Sequence, residues 1–96
     1  MKVSAVGIPW YHEADYNGLR EIFEDGNKLA ATYHGWLESA NGVYEHIKSE
    51  GMIVEKVYIT LQDFPAWCAA RNLRLNAHAR NEFAGEFVAR KHGNVS

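Results

Sequence analysis

A chain of 96 residues, 47% of them hydrophobic and 23% charged, has the size and make-up of a single globular domain spanning residues 1–96, which excludes wholesale disorder and any need for a metal or disulfides to hold a core. The net charge of −2 gives no global pull toward nucleic acid. Its one cysteine, Cys68, rules out an internal disulfide and suits a reducing compartment. With no membrane-length apolar run and no N-terminal export signal, a cytoplasmic location is expected.

Val3 to Ile8 is a short apolar segment that reads as an extended strand or docked arm. Pro9-Trp10-Tyr11 is expected to turn the chain, with Trp10 or Tyr11 plugging the edge of the core. His12 to Asp25 reads as the first helix. Tyr16, Leu19, Ile22 and Phe23 are its buried stripe, Glu13 and Asp15 lie in the first turn, and Asp25-Gly26-Asn27 is its stop.

The stretch from Thr32 to Gly51 carries the strongest pattern. Tyr33, Trp36, Leu37, Ala40, Val43, Tyr44 and Ile47 recur at three- and four-residue spacing, which predicts an amphipathic helix serving as the spine of the domain. Thr32 is placed to cap its start and Gly51 to end it in the left-handed conformation. Met52 to Ile59 is the clearest strand. Its backbone needs a partner, either the N-terminal segment or the same strand of a second subunit.

A third helix is expected from Asp63, with Thr60 in a capping arrangement and Pro65 in the first turn. Phe64, Trp67 and Cys68 face inward, and Asn72 ends the helix in the left-handed region. Asn76 caps a last helix running from Ala77 to Lys91, with Ala79, Phe83, Ala84, Phe87 and Val88 as its stripe. His92-Gly93 stops it, and Asn94–Ser96 should fray. The fold expected is α+β and mostly helical, with about four helices and one or two short strands.

Few residues invite chemistry. His34 with Glu38 and His46 with Glu50 offer two ligands each, one short of the three protein ligands of a catalytic zinc site. Cys68 sits among apolar neighbours, where a thiol is a poor nucleophile. Phosphate-cradling glycine loops are missing from the sequence. The expectation is therefore no catalytic residue, no metal and no cofactor. Trp10, Tyr11 and His12 are the one aromatic cluster that could line a ligand pocket. The stretch Asp63–Lys91 has the look of a helix–turn–helix, with Arg71, Arg74, His78 and Arg80 near the start of its second helix, where nucleic-acid contacts are made. Against that, His78 and Asn81 stand where such a helix wants apolar residues, and Arg80 could equally clamp a helix C-terminus or a carboxylate such as Asp63.

Four local patterns, Ile8-Pro9-Trp10, Thr32-Tyr33 with Trp36-Leu37, Phe64 with Trp67-Cys68, and Ala79-Arg80 with Phe83-Ala84, together resemble a family of small bacterial proteins, of the proteobacterial type, whose role is uncharacterised. The resemblance implies a small soluble bacterial domain and transfers no activity, ligand or catalytic residue. Three Trp, five Tyr and four Phe in so short a chain favour a non-enzymatic interaction or regulatory module that self-associates as a homodimer, because aromatic side chains are enriched at protein interfaces. A nucleic-acid-binding regulator using the C-terminal helix pair is the second reading. A small ligand binder or enzyme around Trp10, Tyr11 and His12 is the third.

Overall fold

The computed structural model describes residues 5–92. Val3, Ser4, Gly93 and the expected fraying at Asn94–Ser96 lie outside them. In chain order the elements are β1 (Ala5–Trp10), α1 (Glu13–Ile22), a single 3₁₀ turn (Gly26–Lys28), α2 (Tyr33–Ser49), β2 (Ile53–Tyr58), α3 (Phe64–Ala70) and α4 (Ala77–Lys91). The fold is α+β and mostly helical. Among the described residues two strands pair with each other in parallel, with Ala5 opposite Ile53 and Trp10 opposite Tyr58, which answers the open question of what the second strand pairs with.

Most boundaries follow from local chemistry. The Thr32 hydroxyl accepts from the Gly35 amide at 3.1 Å, and the Asn76 side chain accepts from the Ala79 amide at 3.0 Å, so α2 and α4 start where an orphan N–H can be satisfied. Gly51 at φ 86° and Asn72 at φ 58° supply the left-handed residues that end α2 and α3. The Thr60 hydroxyl accepts from the Asp63 amide at 3.0 Å just ahead of α3.

Two expectations are corrected. Pro9 and Trp10 do not turn the chain but complete β1, because a proline fits a strand wherever its nitrogen faces away from the ladder. The phase of α2 is as expected, since Tyr33, Trp36, Leu37, Ala40, Tyr44 and Ile47 are its less exposed positions, yet none of its 17 residues is fully buried and Val43 is 51% exposed. The spine of the molecule lies elsewhere. Its main core gathers Tyr11, Tyr16, Leu19, Phe23, Ile59, Phe64, Cys68 and Ala79 from five segments of the chain.

Strand alternation sorts the rest. On one face of the sheet Val57 packs against Ala84 and Val88 of α4, and Gly7 lets the α4 backbone approach so closely that a Cβ there would stand 2.6 Å from the Ala84 carbonyl oxygen. On the other face Trp10 packs edge-on against Trp36 and Tyr44 of α2. Among the described residues helices thus flank a sheet two strands wide. The radius of gyration, 13.8 Å, exceeds the roughly 12.5 Å expected of a compact chain this long, and the molecule is a slab 19 Å thick.

Candidate functional site

Trp10 and Tyr11 are each 3% exposed and belong to the interior. Tyr11 lies among Tyr16, Phe23 and Trp36 at ring separations of 4.7 to 6.0 Å, and its carbonyl accepts from the Tyr33 hydroxyl at 3.1 Å. Burial pushes the Tyr11 phenol up to about 12. His12 is exposed and stacks on the Tyr58 ring at 4.1 Å, outside the packed cluster. The three residues therefore divide between core and surface and do not converge on one cavity.

The four basic residues near the start of α4 all have carboxylate partners. Arg80 is 6% exposed and grips Asp25 through two bonds of 2.9 and 2.8 Å, with its guanidinium 4.3 Å from the Phe23 ring centre. That bidentate bond holds the Asp25 carboxyl below the ordinary carboxylate range. Arg80 is thus an internal clamp on a carboxylate, and the carboxylate is Asp25 rather than Asp63. Arg74 pairs with Glu24, and His78 approaches Glu82 at 3.3 Å. Arg71 lies over the Trp67 ring at 4.4 Å and donates to Glu86 at 3.1 Å. Glu86 also accepts from Arg90 at 2.9 Å. This surface is an alternating lattice of charge, in which little positive field is left for a phosphate backbone.

Among the described residues no group of three or more His, Cys, Asp or Glu side chains is placed to hold a metal ion. Of the two helical His–Glu pairs, His46 and Glu50 approach to 3.7 Å on an open surface. Cys68 is 1% exposed, and burial pushes its thiol up, away from a nucleophilic state. Shallow grooves open on the surface of the described residues, two of them near Asp25 and Gly26. One runs between Glu24, Asp25 and Lys28 and the start of α4; the other lies between Arg20 and Asn27. Both mix acids with bases, and neither gathers a nucleophile with a base.

What remains is the edge of the sheet. The Ile59 amide donates to the Trp10 carbonyl at 2.8 Å, and Trp10 stands opposite Tyr58. In a parallel ladder a residue bonds to the neighbours of its opposite number. Trp10, Ile8 and Val6 therefore aim their backbone groups at β2, while Ala5, Gly7 and Pro9 aim theirs outward. On β2 the odd residues Glu55 and Val57 face β1, and Val54, Lys56 and Tyr58 face out. Pro9 has no N–H to present, so the outer edge of β1 is interrupted. The outer edge of β2 carries three N–H and three C=O groups in a row, with no partner among the described residues.

The side chains along that edge leave it uncovered. Lysine ordinarily guards an open strand by reaching out over it, but the Lys56 ammonium is drawn inward, 4.4 Å from the Trp10 ring centre and 4.7 Å from that of Tyr44. On the other face Glu55 is held by Lys91 at the end of α4 and by His92 just after it, at 3.0 and 2.9 Å. Ile53 and Tyr58, at the two ends of β2, are 40% and 43% exposed, whereas no residue of β1 is exposed. Sequence patterning could not have found this edge, because the direction each amide faces depends on the register between two strands far apart in the chain. Its one legible clue was Pro9, whose missing donor marks an outward position.

No family model, curated protein or solved structure matches this chain.

Proposed function

We propose that this protein is a non-enzymatic interaction module that works through self-association. The observation that carries this reading is the open outer edge of β2, flanked by the exposed side chains of Ile53 and Tyr58. A two-stranded parallel sheet is small for a stable fold, and parallel sheets are ordinarily wider and covered on both faces. The half-exposed apolar stripe of α2 and the flattened shape add surface that a second copy would cover. The pairing of Arg71, Arg74, His78 and Arg80 with carboxylates weighs against the nucleic-acid reading, and the burial of Trp10 and Tyr11 weighs against a ligand pocket between them.

Sedimentation equilibrium over a concentration series tests the proposal. A mass that rises from monomer to dimer through the micromolar range is the expected result. A monomer that persists at the highest soluble concentration overturns it. Duplex DNA titrated at low ionic strength should leave the sedimentation unchanged, since electrostatic binding would be strongest there.

A further inference from the structure

We propose that two copies join through β2, antiparallel across a two-fold axis at Lys56, to make a four-stranded sheet of order β1-β2-β2-β1. This rests on the self-association reading above and specifies its geometry. The outward residues are Val54, Lys56 and Tyr58, and an axis normal to the sheet pairs residues of like parity on the same face. Centring the axis on Lys56 sets Val54 opposite the partner's Tyr58, and Lys56 opposite its own copy. This register satisfies all three outward N–H and all three outward C=O groups of each copy, which no shifted register does.

The cross-strand chemistry agrees. Val54 and Tyr58 form an aliphatic–aromatic pair, twice over, of the kind that stabilises neighbouring strands. The two Lys56 side chains would repel at the centre if they stood upright, but each ammonium is already held over Trp10 and Tyr44, on the side away from the axis. Glu55 is likewise paired within its own copy, with the Lys91 ammonium at 3.0 Å. A strand edge by itself falls short of the roughly 800 Å² per partner that a stable interface buries. A two-fold axis normal to the sheet also keeps both α2 helices on one face and both α4 helices on the other. α2, none of whose residues is fully buried and whose Val43 is 51% exposed, lies on the face that the two copies would share.

Three measurements on the full chain test this. Lys56→Cys should give a disulfide-linked dimer under mild oxidation, because residues facing each other in such a pair have Cα atoms about 5.5 Å apart; peptide mapping should find the link at position 56 and not at the buried Cys68. The amides of Val54, Lys56 and Tyr58 should exchange slowly in the dimer and quickly on dilution, while those of Glu55 and Val57 do not change. Val54→Pro, which removes an outward donor as Pro9 does on β1, should weaken dimerisation about tenfold or more, and Val54→Ala, which keeps the donor, should weaken it less.

A dimer that neither cross-links at position 56 nor protects those three amides overturns the strand joint and leaves self-association standing. A chain that stays monomeric at every concentration overturns both. Protection of the three amides in a monomer means another part of the chain occupies the edge, and also overturns the joint. Should Val54→Pro fail to fold, the cross-link and the exchange pattern decide.

Discussion

Single residues set the sensitivity of this protein to pH. The Asp25 carboxyl is held low because Arg80 donates two hydrogen bonds to it. A carboxylate with a depressed folded pKa contributes stability that is present above its unfolded value and lost as pH falls through the folded one. Urea midpoints should therefore decline below about pH 4, and less so in Asp25→Asn. Arg80→Ala leaves a half-shielded carboxylate unpaired and opens a void beside Phe23, so it should destabilise by about 3 kcal/mol in urea titration. Tyr11 gives the opposite sign. Burial raises its phenol to about 12, so the folded state holds that proton while the unfolded chain releases it near pH 10. Stability should fall between about pH 10 and 12, and Tyr11→Phe should flatten that decline.

At the level of elements, the close approach of β1 to α4 depends on Gly7. Gly7→Ala would set a methyl 2.6 Å from both the Ala84 carbonyl oxygen and Val88 Cγ2, and relieving it must move backbone. The expected loss is about 1–3 kcal/mol by thermal denaturation. Asn76→Ala removes the side-chain acceptor at the start of α4 and should cost about 1 kcal/mol. These caps were legible in the sequence because Thr32, Asn76, Gly51 and Asn72 act within a few residues of themselves. The depth of α2 was not. Its stripe has the right phase, but periodicity gives the direction a face points and not how much protein lies beneath it. Phe87, expected in the stripe of α4, is 45% exposed for the same reason. The partner of Arg80 was equally out of reach, since Asp25 lies 55 positions away and only the assembled fold brings the two together.

For the molecule as a whole, fold class and element order were readable because each segment carries its own start and stop signals, whereas the candidate site was not. That site is a row of backbone amides, and its existence depends on a register that no side-chain pattern encodes. The arrangement of the sheet also bears on how the protein comes to be folded at all. β1 is covered on one face by α4, the last of the elements, and is paired along its length with β2, which lies half the chain further on. While the polypeptide is still being made, β1 has neither its neighbour nor its cover until β2 and α4 have followed it. The earlier segment must wait for the later ones, so the sheet and its cover can be completed only after α4 has been made.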